Sequence, residues 1–209
     1  VSDLTFTLNS DGTEYSVTDC LTSASGSLDI PSTYNGLPVT SIGEEAFWAC
    51  TDLASVTIGD GVVSIGYLAF HGCSGLTSIT IPGSVTLIGR NAFYNCGLTS
   101  VTIGDGVTSI EEFAFGGCLN LTNITIPDSV TLIGDRFFEW CPNLTSVTFE
   151  GDAPTFGTGV FANSDSAIIY YDSNRSGWTN TVAGRPAVPY NSNSGSGLIA
   201  YYPFNGNAN

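Results

Sequence analysis

The sequence contains a single histidine, His71, and this residue limits the acid–base chemistry open to the chain. A nucleophilic Ser–His–acid or Cys–His site would have to use it as the base. His71 directly follows Phe70, at a position that other parts of the chain fill with Trp48, Tyr94 or Glu139. Such variation is typical of an outward-facing side chain, so we predict no catalytic residue and no enzymatic activity.

The six cysteines are the residues best suited to redox or metal chemistry. Five of them lie 23, 23, 22 and 23 residues apart, each three places after a phenylalanine: Cys50, Cys73, Cys96, Cys118 and Cys141. This spacing predicts one column of stacked side chains inside a repeating fold, where a free thiol packs as a small hydrophobe. A disulfide between successive turns is an open alternative. A metal column is a weaker one, because no His or second Cys lies at ligand spacing. We expect neither metal nor cofactor.

Aspartates recur in tight turns that follow predicted strands. Asp60 and Asp105 each lie between two glycines, and Asp128 follows a proline. Carboxylates in register would suit Ca²⁺, but the intervening repeat has Gly83 at this position. Because Asp is also a common turn former, we predict a structural role for these residues and no metal site.

A row of aromatic residues is the first candidate for binding a partner. Trp48, His71 and Tyr94 fall on three consecutive repeats, and Trp140 comes one place later on a further repeat. Exposed rings in a row could stack on sugars or anchor a protein. The alternative is that the rings fold over the core and only shield it.

A row of outward-facing strand residues is the second candidate. In horseshoe-shaped repeat proteins the equivalent face commonly binds proteins. The same row is expected from β-propensity alone, and a flat threonine array would also suit ice binding. The residues proposed for this surface are Thr57, Thr80, Thr102 and Thr125.

A 23-residue repeat must position all these side chains. Each copy has a strand such as LTSVTI, a tight turn, a short extended segment and Ala-Phe-x-x-Cys, whose spacing predicts a single helical or 3₁₀ turn. A fixed period of this size predicts a repeat solenoid, here of about six turns. Full copies occupy 53–75, 76–97, 98–120 and 121–143, with a partial copy at 30–52 and a degenerate one from residue 144.

Two substitutions interrupt the repeat. Glu111 stands where the other copies have the glycine of an Ile-Gly pair, and Phe137 stands where they have the alanine before phenylalanine. Because Phe137 adds a ring at a core position, we predict that it widens the last full turn where this turn meets the C-terminal cap.

The pattern divides the chain into four segments. Residues 1–29 read as a β-hairpin that caps the N-terminal end, 30–149 as the repeats, and 150–190 as a C-terminal cap. Residues 191–209 read as a linker followed by the first strand of a further domain, so we expect the natural protein to continue.

Composition narrows the classes of partner. Nineteen acidic residues against four basic ones give a net charge of −15, which disfavours nucleic acid. No long apolar run or basic amphipathic stretch predicts membrane insertion. The low charged fraction of 11%, with Ser, Thr, Gly and Asn on the surface, is common in secreted and cell-surface proteins.

The repeats resemble the BspA-type leucine-rich-repeat family. The resemblance covers about residues 15–188 and rests on IPSTYNGLPVTSIGEEAFWACTDL and on the recurring LTSVTI, VTSIG and AF-x-x-C segments. It implies a right-handed solenoid of α/β horseshoe type, mostly β with short helical turns, in bacterial surface or secreted proteins associated with adhesion. Separately, GLIAYYPFNGNAN resembles the opening strand of concanavalin A-like, laminin-G-like domains.

These features together predict a secreted or cell-surface binding module. We expect a monomer that recognises a protein or glycan through outward-facing columns, without nucleic acid and without membrane insertion. The alternative is a structural spacer that presents a downstream lectin-like or catalytic domain. A binding module should show a patch of clustered aromatic residues or lowered charge, whereas a spacer should show an even polar coat.

Overall fold

The computed structural model describes residues 3–191, which form a β-solenoid of about seven turns. The predicted linker and further domain, 191–209, lie outside the described residues except for Asn191. The strands in chain order are β1 (Leu4–Leu8), β2 (Tyr15–Cys20), β3 (Gly26–Ile30), β4 (Thr33–Tyr34), β5 (Leu37–Ile42), β6 (Leu53–Ile58), β7 (Ser64–Ile65), β8 (Ser78–Ile81), β9 (Leu87–Ile88), β10 (Ser100–Ile103), β11 (Ser109–Ile110), β12 (Asn123–Ile126), β13 (Leu132–Ile133), β14 (Ser146–Phe149), β15 (Thr155–Phe156), β16 (Ile168–Asp172), β17 (Thr181–Val182) and β18 (Arg185–Tyr190).

One side of the solenoid is built from the longer strand of each turn, and we call it the long-strand face. Parallel pairing joins β3, β6, β8 and β10 into one sheet, and β12, β14, β16 and β18 into a second. Val and Ile alternate with Ser and Thr along these strands, so the apolar side chains point inward and the hydroxyls outward. The two sheets are adjacent but not joined, because β10 and β12 do not pair.

A second side, the short-strand face, is a continuous sheet. It runs from β2 through β5, β7, β9, β11, β13 and β15 in parallel, with β1 antiparallel to β2 at one end. Turns approach closely here: a Cβ on Gly66 or Gly89 would lie 2.9 Å from the backbone of the preceding turn. A side chain would therefore be crowded at these two glycines, although the 98–120 repeat has Glu111 at the equivalent position.

The third side consists of the Ala-Phe-x-x-Cys segments, and the predicted helical turns are wrong. Each segment places two residues at positive φ, one two places before the Phe and one two places after it, as at Glu45 and Ala49 around Phe47. Every second N–H then bonds to the next turn, such as Phe47 N–H to the Ala69 carbonyl at 2.7 Å. Because the bonds run between turns rather than along one segment, no helix forms in residues 3–191 and the horseshoe of α/β type is not supported.

A stack of phenylalanines fills the centre of the solenoid. The rings of Phe47, Phe70, Phe93 and Phe115 are fully buried and follow each other at centroid distances of 4.5, 5.1 and 5.1 Å. The next interval, from Phe115 to Phe138, is 6.5 Å. The extra ring of Phe137 lies edge-on to Phe115 in this interval, at 5.5 Å. The larger spacing therefore lies toward the preceding turn and not at the C-terminal cap, where the prediction placed it and where Phe138 and Phe161 are 5.6 Å apart.

The cysteines form a second buried column beside the phenylalanines. All six are buried, and none is in a disulfide. From Cys73 onward each thiol donates to the phenylalanine carbonyl of the preceding turn, at 3.0 Å for Cys73 and Cys96. Ser164 continues the column with a hydroxyl that donates to the Phe138 carbonyl at 2.6 Å. Each position of the column thus holds a small side chain that can donate a hydrogen bond.

Candidate binding surface

The predicted threonine row lies on the long-strand face as a grid of exposed hydroxyls. Thr57 stands opposite Thr80, and Thr80 opposite Thr102, in register along paired strands. Thr125 is exposed as well, but no pairing links its strand to that of Thr102. Within residues 3–191, none of these four hydroxyls bonds to another protein group, so they are free to bond to water or a partner.

The middle of this face carries no charged side chain. The chain has 19 acidic residues, yet the outward positions of β6, β8, β10, β12 and β14 are all Ser, Thr or Asn apart from Ala54. A shallow depression of about 490 Å³ lies over β6 and β8, with Thr57 and Thr80 among its lining residues. Depletion of charge is characteristic of the core of protein interfaces. The outward residues are Ser55, Thr57, Ser78, Thr80, Ser100, Thr102, Asn123, Thr125, Ser146 and Thr148.

The aromatic residues on the third side lie together but are packed against one another. The rings of His71 and Tyr94 are parallel within 3° at 5.5 Å, so each covers a face of the other. Trp48 meets His71 edge-on at 6.2 Å and is 50% exposed. Only Trp48 of these three therefore presents a large apolar surface to solvent, and the shielding alternative accounts for His71 and Tyr94.

Two further residues extend the aromatic row, a phenylalanine and an arginine, and neither was among the predicted binding residues. Phe113 lies edge-on to Tyr94 at 6.0 Å, and the Arg136 guanidinium lies 5.6 Å above the Phe113 ring. Tyr94 occupies the space above Gly116, where a Cβ would come within 2.8 Å of its ring. The signal was present in the sequence, because Phe113 is the one aromatic residue in a column of Glu45, Leu68, Asn91 and Arg136.

His71 has the chemistry of a packed residue. Its Nδ1 atom is buried without a hydrogen-bond partner in the described chain, and burial lowers the pKa of the imidazole. The thiols lie inside the core, where burial raises the pKa of Cys96 and Cys118 well above the usual range. Neither group is arranged as an activated nucleophile or a general base.

Trp140 is separate from the aromatic row. It is 54% exposed and makes no ring contact with another aromatic residue in the described chain. Its backbone is left-handed, with a φ of 59°, at a position where the other repeats have Ala, Gly or Asn. Such a conformation costs a non-glycine residue about 1–2 kcal/mol. The structure thus places Trp140 on the surface but does not bring it to the other predicted aromatic residues.

The turn aspartates line an acidic depression at one end of the long strands. Asp105, Asp128, Glu150 and Asp172 surround about 380 Å³, together with Arg175 and Tyr190. Arg175 is 3.6 Å from the carboxylate of Asp128. Burial, and then the carboxylates of Asp172 and Glu150, raise the pKa of Tyr190. No group of three or more potential metal ligands is close enough to hold an ion within residues 3–191.

No helix in residues 3–191 has the length and apolar composition to cross a bilayer.

Among curated proteins, none matches the sequence. Solved structures do. The leucine-rich-repeat protein of T. pallidum is 27% identical, with a TM-score of 0.72 over 80% of this chain and 89% of that one. A leucine-rich cell surface protein of Faecalibacterium prausnitzii is 28% identical, with a TM-score of 0.62 over 83% of this chain and 54% of that one.

A third solved structure and a family model also match the chain, and both are of leucine-rich-repeat type. A leucine-rich-repeat protein from Bacteroides capillosus is 34% identical, with a TM-score of 0.50 over 72% of this chain and 96% of that one. The family model for the BspA type leucine rich repeat region matches residues 40–168 in six copies. The chain therefore belongs to the BspA-type leucine-rich-repeat family.

Proposed function

We propose that this chain is a non-catalytic protein-binding module that acts in adhesion, and that its contact surface is the long-strand face. The observation that carries the proposal is the absence of charge from the outward positions of five successive long strands in a chain of net charge −15. Uncharged interface centres with a charged rim are typical of protein–protein contacts. The free hydroxyls supply hydrogen bonds without the desolvation cost of a charge.

The location we propose is the cell surface or the secreted fraction. The surface protein of Faecalibacterium prausnitzii, which shares this fold at 28% identity, supports that location. We expect a monomer, because the net charge of −15 makes two copies of the chain repel each other.

An array of extracellular-matrix proteins and glycans tests the proposed function. The double variant Thr57→Glu, Thr80→Glu introduces two charges at the centre of the long-strand face, and we expect it to weaken binding to any recognised matrix protein about tenfold or more. The matched control is Thr86→Glu, Thr108→Glu, which adds the same charges at exposed threonines beside the short strands. Equal loss in both double variants, or no loss in the first, would contradict the proposal.

The spacer function predicts a different outcome in the same assay. A spacer has no contact surface of its own, so neither double variant would differ from the wild type. The aromatic row is tested in parallel with Trp48→Ala, since Trp48 is the member with the largest free surface. Loss of a glycan signal in that variant alone would move the binding site to the third side of the solenoid.

A further inference from the structure

The long-strand face contains one break, between β10 and β12, which we call the seam. All other neighbouring long strands from β3 to β18 are joined by a parallel ladder. No ladder pairs residues 100–103 with residues 123–126, although the strands lie side by side. Main-chain N–H and C=O groups without a partner in the fold must bond to water or to a ligand.

Phe137 explains why the fold opens at this boundary. Its ring lies between the 98–120 turn and the 121–143 turn, at a position where the four preceding turns have alanine. The backbone bond that spans the same boundary, from Phe115 N–H to the Phe137 carbonyl, is 3.2 Å long. The equivalent bonds at Phe47, Phe70, Phe93 and Phe138 are 2.7–2.8 Å.

The seam exposes part of the core. Val101 is partly exposed, whereas the same column is buried at Val56, Ile79 and Val147. A notch of about 290 Å³ opens here, lined by Val101, Thr102, Ile103, Thr125, Pro127 and Glu150. Its floor is aliphatic, and its rim bears one carboxylate.

Glu150 also lines the acidic depression described above, so the notch and the depression are neighbours. The depression has four carboxylates and one guanidinium. An apolar recess thus adjoins a surface that attracts positive charge.

We propose that the seam docks an extended polypeptide that carries a branched apolar side chain close to a lysine or arginine. The apolar side chain fills the notch over Val101, and the cation lies in the acidic depression beside Glu150. This inference rests on the proposed function, since it places the partner on the same long-strand face.

A polypeptide fits the seam better than a glycan, because a peptide can carry an aliphatic side chain and a cation a few residues apart, matching the notch and the neighbouring carboxylates. An aliphatic notch without an aromatic ring offers no platform for a sugar. The specificity then comes from the side chain in the notch and from the neighbouring charge.

A display library of random decapeptides, selected on the whole chain, provides the probe. We expect the selected peptides to share an aliphatic residue followed within a few positions by Lys or Arg. Synthetic labelled copies of them are then titrated by fluorescence anisotropy against Glu150→Lys and Glu44→Lys. Both residues are exposed, and both variants change the net charge equally. We expect about tenfold weaker binding for Glu150→Lys alone.

Phe137→Ala tests the origin of the seam without altering any residue on the surface. It restores the residue found in the other repeats, and we expect it to close the seam and abolish binding of the selected peptides. The inference is overturned if these peptides bind Glu150→Lys and Glu44→Lys equally, or if they lack the apolar–basic pair. Failure of the proposed function is a separate outcome, because it is tested with the double variant Thr57→Glu, Thr80→Glu, and both threonines lie outside the notch.

Discussion

At the boundary between the 98–120 and 121–143 turns, the two β faces of the solenoid differ. The short-strand face is continuous there, since β11 pairs with both β9 and β13. The long-strand face is broken, since β10 and β12 do not pair. The buried ring of Phe137 lies at this boundary, where the ladder is absent on one face and present on the other. The comparison shows that two-residue strands can hold the turns together while the longer strands remain free to vary.

The largest expected effect comes from weakening the continuous face at this boundary. Ile110 in β11 is fully buried, and Ile110→Ala should lower the free energy of unfolding by about 2–5 kcal/mol. Urea denaturation followed by circular dichroism measures this. Leu132→Ala, in the adjoining strand β13, is the control because Leu132 is 43% exposed and should cost much less. A small decrease in the free energy of unfolding for Ile110→Ala would mean that the short strands contribute little to holding these two turns together.

A smaller effect should separate the closed and open parts of the long-strand face. Val147→Ala removes two buried methyl groups and should cost about 2 kcal/mol of unfolding free energy. Val101→Ala makes the same change in the same column but should cost about half as much, because Val101 is already partly exposed. Val56→Ala, at a buried valine of the column, serves as a second reference. Equal losses at Val101 and Val147 would contradict an open seam.

The smallest effect is a change in hydrogen exchange without a change in global stability. The amides of residues 123–126 that face β10 should exchange about tenfold faster than the equivalent amides of residues 146–149, because they lack a ladder partner. Mass spectrometry with overlapping peptides resolves the two strands. Phe137→Ala should remove the difference. Uniform protection along the whole long-strand face would show that β10 and β12 are paired in solution.

The sequence predicted the columns of the core but not the backbone that supports them. The spacing of Phe and Cys correctly indicated buried stacks, because each residue type recurs at one phase of the repeat. The same spacing of three residues suggested a helical turn, and this was wrong. Left-handed residues at positions such as Leu68 and Phe113 prevent a helix, and side chains of this kind give no sign of positive φ. Gly72, Asn95 and Gly117 were the visible signal, since these types favour that conformation.

The candidate site could also be predicted only in part, because the repeat gives the position of each residue but not the orientation of its side chain. Periodicity gave the alignment of Thr57, Thr80 and Thr102, which pairing in register confirms. It did not show that His71 and Tyr94 cover each other, because spacing gives position but not ring orientation. Phe137 was visible as a departure from the repeat, and a wider turn followed from its size. The loss of pairing on one face could not be predicted, since it depends on how the added volume divides among three sides.

The cysteine column provides a buried thiol at each successive boundary between turns of the solenoid. From Cys73 to Cys141 every thiol is sealed by a bond to the carbonyl of the turn before it. A reagent in solution therefore reaches these sulfurs when the two turns separate, and each of these cysteines reports on one boundary. All six cysteines are buried, so the folded solenoid protects them from oxidants in solution.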